Sequence, residues 1–162
     1  FVENNISAED KVRYISGNVL TGNKVRLEGF LGAYHQQITV IPEGKHFDFM
    51  GWADPGFKKF SVHGNVFSKF LPKRFWRLDA NLNGGHRALV MSGEYEKVLP
   101  MDIFPEFLLK AVIVKDIDKM EQLGMYEIAP EDMALCEVVC TSKTEVQRII
   151  REGLDLMIQE LG

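Results

Sequence analysis

The spacing of apolar residues changes once along this chain, at Asp54-Pro55-Gly56, and that change sets what the chain can fold into. Before it, apolar residues alternate. Val12 and Tyr14 lead through Val19-Leu20 to the turn Thr21-Gly22-Asn23, and Val25 and Leu27 resume the pattern. Gly29 and Gly32 punctuate the next stretch. Gln37-Ile38-Thr39-Val40-Ile41 is a β-branched strand stopped by Pro42-Glu43-Gly44, and Phe47, Phe49 and Trp52 close the segment with an aromatic alternation. Residues 1–52 are therefore expected to form a small β module. After the boundary the period moves toward helix, so residues 53–162 are expected to be mainly helical. The fold class expected is α+β, a small β module followed by a helical bundle.

The helical part carries its own punctuation. Ser61 is placed to cap a short helix with Val62, Val66, Phe67 and Phe70 on one side, ended by Pro72. Residues 75–99 read as extended and turn-rich. Asp102 is expected to cap a helix running to about Val114, with Pro105 in its first turn. Asp116 is expected to cap another, closed by Gly124. Pro130 sits in the first turn of a third, with Glu131 and Asp132 suited to the helix dipole. Ser142-x-x-Glu145 has the spacing of a capping box. Val146, Ile149, Ile150, Leu154, Met157, Ile158 and Leu161 follow as one apolar stripe, with Arg148–Glu152 and Arg151–Asp155 at i,i+4 spacing on the outer face.

Bulk properties exclude several classes. With 162 residues, 46% of them apolar and 26% charged, the chain has a globular composition. A net charge of −4 argues against a general nucleic-acid binder. The longest apolar stretch, Ile103 to Val114, is interrupted by Pro105, Glu106 and Lys110 and is too short to span a bilayer. No signal peptide is recognisable. The first residue is Phe1, not Met, and strand-like sequence follows soon after, so a piece of a longer protein is expected.

Three features are candidate sites. The two cysteines, Cys136 and Cys140, share one face of a predicted helix. An iron–sulfur cluster or a structural zinc takes four ligands, and no second half is present. His35, His46, His63 and His86 are scattered. Cys136 and Cys140 therefore read as structural, and no metal or cofactor ligand set is expected. The turn Asn83-Gly84-Gly85, with Arg87 beside it, is a candidate anion-binding nest, although tight-turn geometry alone explains a glycine pair. Residues 57–78 hold Lys58, Lys59, Lys69, Lys73, Arg74 and Arg77 and no acid, so they carry +6 and the rest of the chain −10. Phe57, Phe60, Phe67, Phe70, Phe75 and Trp76 are interleaved. In a stand-alone domain the rings would face the core and the cations would be solvated. In a component of a membrane complex the stretch is a candidate partner or ligand surface, on anionic lipid or an acidic partner. Asp116, Asp118 and Glu121 lie close together, as helix N-terminal acids do. No hydrolytic triad, paired-carboxylate site or metal hydrolase helix is present.

The run Asn81-Leu-Asn-Gly-Gly-His-Arg-Ala-Leu-Val90, followed by Glu94-Tyr-Glu-Lys-Val-Leu-Pro-Met-Asp-Ile-Phe-Pro105, carries more specific information. Leu82 to Ala88 and Gly93 to Ile103 resemble the pattern Leu-Asn-Gly-Gly-x-Arg-Ala and Gly-x-Tyr-Glu-x-Val-x-Pro-Met/Leu-Asp-Ile. That pattern belongs to the C-terminal part of the NqrA family, one of the subunits of the Na⁺-translocating NADH:quinone oxidoreductase. Gly29-Phe-Leu-Gly-Ala-Tyr-His-Gln-Gln-Ile-Thr-Val-Ile-Pro-Glu-Gly44, Gly51-Trp52, Pro55-Gly-Phe-x-Lys-Phe-Ser61 and Leu135-Cys-Glu-Val-Val-Cys140 are similar too. The resemblance covers nearly all of residues 13–140. His86 stands where the family commonly has Glu, which argues against a catalytic carboxylate there. Thr141-Ser142-Lys143 stands where Pro-Gly-Lys is expected.

The resemblance implies that residues 1–52 form a β-grasp module like the soluble-ligand-binding (SLBB) domain, ahead of the helical region. It also implies kinship with the NADH-oxidising subunit of respiratory complex I and with the ferredoxin-like, iron–sulfur subunit of the Rnf complex, without their flavin or clusters. The implied role is a peripheral, cofactor-free segment of NqrA. It would be non-catalytic on its own and would serve assembly and docking to the membrane subunits, at the cytoplasmic face of the bacterial inner membrane. The parent complex would use NADH, flavins, iron–sulfur centres, quinone and Na⁺ through other subunits. The alternative is a quinone or other small-ligand module within the same complex. A third reading, an iron–sulfur carrier, is opposed by the two-cysteine count. No nucleic-acid partner is implied.

Overall fold

A computed structural model describes residues 11–44, 56–57, 59–64, 66–70, 75–76, 78–82 and 87–162. The chain divides into two compact units, residues 1–85 and 86–162. Three antiparallel strands in the first and four α-helices in the second make the described fold α+β.

In the first unit, β1 (Val12–Ser16) lies between β2 (Asn23–Val25) and β3 (Ile38–Pro42). Tyr14 is the register point, opposite Val25 on one side and Val40 on the other. Val19 and Leu20 do not extend a strand. They are exposed in the β1–β2 turn, where Asn18 Oδ1 accepts from the Leu20 and Thr21 N–H groups. That side-chain turn competes with the ladder and ends it. Leu27 also lies past β2 and is exposed. Glu43 ties all three strands at one end, accepting from Arg13 Nε and Nη2 at 3.0 and 2.9 Å and from Lys24 Nζ at 2.9 Å. Hydrogen bonds from Arg13 first, and then Lys24, hold its carboxyl at about 2. The alternation expected at Phe47, Phe49 and Trp52 lies outside the described residues.

The helix expected from Ser61 is not formed. Ser61 opens a turn closed by the Gly64 N–H, and among the described residues of this segment only Phe67–Phe70 is helical, as a 3₁₀ turn. Ser68 is buried there, and its Oγ donates to the Lys59 carbonyl at 2.6 Å. Pro72, the expected stop, lies outside the described residues.

In the second unit, α1 (Pro105–Ile113), α2 (Ile117–Gln122), α3 (Ala134–Val139) and α4 (Val146–Leu161) enclose a core that includes Leu108, Leu109, Met120, Met133 and Ile150. Asp116 and Gly124 act as expected. Asp116 Oδ1 accepts from the Lys119 N–H at 3.2 Å, and Gly124 takes φ 85° just past α2. Pro130 opens a 3₁₀ turn, Pro130–Met133, that leads into α3, and Asp132 Oδ2 accepts from the Ala129 N–H.

Two expected caps are not formed. Asp102 does not cap α1. Pro105 is its first residue, and a residue before proline is kept out of the helical region, so Phe104 (φ −100°, ψ 84°) ends the loop instead. Ser142 does not cap α4, because Lys143 at φ 54° breaks the path between them. Ser142 is buried and its Oγ accepts from the Val90 N–H at 3.1 Å. Glu137, on α3, supplies the cap: its Oε2 accepts from Gln147 N and Nε2 at 3.3 and 2.9 Å.

The apolar stripe of α4 is buried at Val146, Ile149, Ile150 and Met157, whereas Ile158 and Leu161 are exposed in the last turn. Gly153 belongs to the buried face. A Cβ there would lie 2.9 Å from both γ-carbons of Val112, so glycine lets α4 approach α1. Arg148 pairs with Glu152 as expected, and Arg151 reaches Glu131 at 3.6 Å, a partner that its i,i+4 spacing to Asp155 did not indicate.

Candidate functional site

The basic and aromatic stretch is described only in part. Lys58, Lys73, Arg74, Arg77 and the side chain of Lys69 lie outside the described residues. Lys59 is half-buried. The aromatic residues are informative. Phe57 stacks on Phe67 with centroids 5.4 Å apart and planes 12° apart, and Phe70 follows at 6.5 Å from Phe67. Phe60 lies 6.2 Å from Trp76. The phenylalanine rings do not face a core: Phe57, Phe60 and Phe67 are exposed, Phe70 is 76% exposed and Phe75 fully so, while Trp76 is half-buried.

Asn83, Gly84 and Gly85 lie outside the described residues. Arg87 is exposed, and its Nη1 donates to the Thr141 carbonyl at 3.3 Å. That bond fastens the start of the loop to the link between α3 and α4.

Cys136 and Cys140 are buried free thiols in the helical core. The Tyr95 hydroxyl donates to Cys140 Sγ at 2.9 Å, the Thr144 N–H donates to the same sulfur at 3.3 Å, and Cys136 Sγ lies 4.0 Å from the Tyr95 carbonyl oxygen. Burial pushes the Cys136 thiol up to about 11 and raises the Tyr95 hydroxyl well above its ordinary value. The Cys136 thiol and the Tyr95 hydroxyl are therefore protonated at neutral pH. Among the described residues, no three His, Cys, Asp or Glu side chains are grouped to hold a metal ion. No helix among them is long and apolar enough to cross a membrane.

A pocket of about 40 Å³ opens on the sheet unit, lined by Tyr14, Val25, Leu27, Phe30, Leu31 and Ile38 together with Arg26 and Gly29.

One buried carboxyl group was not anticipated. Glu106, in the first turn of α1, is 2% exposed, and its Oε1 accepts from Ser92 N, Ser92 Oγ and Gly93 N at 2.8, 3.1 and 3.0 Å. An acid at a helix start reads as dipole compensation, and only a Ser-Gly turn fourteen residues upstream hinted at this contact.

No family model matches the chain. Three relatives, each the NqrA subunit of a Na(+)-translocating NADH-quinone reductase, are similar over nearly its whole length. The NqrA of Rhodopirellula baltica is 43% identical over 160 residues, 98% of this chain and 35% of that protein. The NqrA of Vibrio anguillarum is 42% identical over 151 residues, 93% of this chain and 34% of its own. That of Histophilus somni (strain 2336) is 42% identical over 159 residues, 98% and 35%. The chain belongs to the NqrA family. It corresponds to the C-terminal part of NqrA and spans about a third of the length of the curated relatives it matches.

The NqrA motifs take on physical meaning in this frame. In the segment Gly93 to Ile103, the Gly93 N–H donates to Glu106, Tyr95 and Leu99 are buried, and Val98, Met101 and Ile103 pack at the core margin. In the segment Gly29 to Gly44, His35 Nδ1 lies 2.6 Å from the buried Ser16 Oγ, which also accepts from the Gly32 N–H, and the Gly17 N–H donates to the Gln37 carbonyl. Both motifs fix loops onto a scaffold.

Proposed function

We propose that this chain is a peripheral, cofactor-free segment of NqrA in a Na⁺-pumping NADH:quinone oxidoreductase, non-catalytic by itself, that serves assembly and docking to the membrane subunits. The observation that carries this reading is 43% identity across 98% of the chain to the NqrA of such a reductase. The internal use of several of the family's motif residues supports it, because Tyr95, Gly93 and His35 make hydrogen bonds that hold loops in place. On this reading the other subunits of the complex are the partners, and they carry NADH, flavin, iron–sulfur, quinone and Na⁺ chemistry. The site is the cytoplasmic face of the inner membrane. The β-grasp, SLBB-like assignment of residues 1–52, the helical region 53–162, the docking surface around Lys58, Lys59, Lys69, Lys73, Arg74 and Arg77, and the structural role of Cys136 and Cys140 belong to the same reading. So does the turn Asn83, Gly84, Gly85 and Arg87 as a secondary, anion-binding contact.

The pocket on the sheet unit favours a second reading, a quinone or other small-ligand module. Its apolar lining suits a ring, but its volume of about 40 Å³ is far below the ~300 Å³ at which ligand pockets begin. Titration of the chain with a short-chain quinone, followed by chemical-shift perturbation, separates the two. The docking reading expects no saturable shifts up to the solubility limit. Saturable shifts at Tyr14, Phe30 and Ile38 would replace it with the ligand reading.

A further inference from the structure

We propose that His35 is a pH-sensitive latch: protonation of its ring releases the loop of residues 26–36 from the sheet and opens the apolar pocket that this loop borders. The latch lies wholly within the sheet unit and is independent of docking. Leu27, Gly29, Phe30 and Leu31 supply the loop side of the pocket, and Tyr14, Val25 and Ile38 supply the strand side.

Among the described residues, the hydrogen bonds between this loop and β1 converge on one atom. Ser16 Oγ accepts from the Gly32 N–H at 2.9 Å and lies 2.6 Å from His35 Nδ1. The ring is seated against two backbones, since a Cβ added at Gly17 or Gly32 would lie 3.4 or 2.9 Å from it. Ser16 is 2% exposed, so its hydroxyl proton needs an acceptor inside the protein, and His35 Nδ1 is in place to be one. The hydroxyl therefore donates to Nδ1, and the neutral ring carries its proton on Nε2. A protonated imidazole is a donor at both nitrogens. Its Nδ1–H would face an oxygen that already accepts from Gly32, and the buried hydroxyl proton would lose its acceptor. Leaving such a group unpaired costs more than moving the loop that carries His35 and Gly32.

The ionisable groups around the ring are few. By strand alternation Ser16 shares its face with Tyr14, Val25, Ile38 and Val40, whereas Arg13 and Lys24 belong to the opposite face and bind Glu43. On the loop itself, Arg26 lines the pocket, and Glu28 and Tyr34 are exposed. Histidine is the side chain whose charge ordinarily changes near neutral pH, so mild acid is enough to work such a latch.

The test is an NMR titration of the ¹⁵N-labelled full chain between about pH 8 and about pH 5. At the upper end His35 is expected in the Nε2–H form. As its ring protonates, the exchange protection of the Gly32 amide, corrected for the intrinsic rate, should fall several-fold. The signals of Leu27 and Leu31 should shift with the same midpoint, while the Leu108 amide of the helical unit stays protected. His35→Gln should abolish the pH dependence at Gly32. An Nδ1–H tautomer overturns the proposal, as does a ring that stays neutral at the lower end. Unchanged Gly32 protection while His35 titrates, or the same pH dependence in His35→Gln, also overturns it. If that variant melts early, the tautomer and Gly32 protection of the unaltered chain decide.

Discussion

The Tyr95 hydroxyl donates to Cys140 Sγ at 2.9 Å inside the helical core, joining a loop residue to the end of α3 across forty-five positions of sequence. Both partners are buried, and the Tyr95 ring is 1% exposed. Tyr95→Phe keeps the ring and removes the donor, so a loss of about 1 kcal/mol is expected in urea unfolding. Alkali probes the same cluster. A thiol or phenol whose folded pKa is raised stabilises fully below its unfolded value and loses that contribution as pH rises. For Cys136 the window runs from 9.0 to about 11. Unfolding midpoints are therefore expected to fall between pH 9 and 11, and less steeply in Cys136→Ala. A pH-independent midpoint across that window would contradict the burial of these groups.

Glu43 gives the opposite sign in the sheet unit. Its carboxyl is held at about 2 by Arg13 and Lys24, against an ordinary 4.5. The stabilisation is present above 4.5 and lost as pH falls toward 2. A carboxyl titration by NMR should find Glu43 as a low outlier, and Arg13→Ala should return it toward the ordinary range.

Glu106 holds the Ser92–Gly93 turn with three hydrogen bonds to one oxygen. Glu106→Ala would leave two backbone N–H groups unpaired in a partly buried place, at a cost of roughly 2–4 kcal/mol. Glu106→Gln retains a carbonyl acceptor and should cost about half as much. Faster amide exchange at Ser92 and Gly93 in the alanine variant would locate the loss.

Gly153 tests the close approach of α4 to α1. Alanine gains about 1 kcal/mol of helix propensity, but its methyl group meets the stiff Val112 side chain at 2.9 Å and Met125 Cε at 2.6 Å. Overpacking of this kind costs roughly 1–3 kcal/mol, so Gly153→Ala should be net destabilising by about 1 kcal/mol in thermal unfolding.

The sequence conveyed the elements whose signals are local. Asp116 with Gly124 bracketed α2 correctly, and the β-branched run at 38–41 became β3, because cap and strand chemistry act within a few residues. Ser142 and Asp102 show where local signals give way. Both have cap chemistry, yet Lys143 in the left-handed region and Pro105 at the first helical position moved the helix starts, and Glu137 capped α4 from another helix. Gly153 was passed over because its role is a distance to Val112, which no helical spacing contains. Of the candidate site, the charge excess of residues 57–78 was legible, since charge is additive along a sequence. The exposure of Phe57, Phe67 and Phe70 was not, because an aromatic residue beside lysines reads equally as core or as surface.

Docking is the central claim, and size-exclusion co-elution with a detergent-solubilised Na⁺-translocating NADH:quinone oxidoreductase prepared without NqrA tests it most directly. The account predicts that the 162-residue chain joins the complex peak in saturable, stoichiometric amount, and that unlabelled whole NqrA displaces it. A chain that elutes alone at every concentration, beside a control in which whole NqrA rejoins the complex, would contradict it.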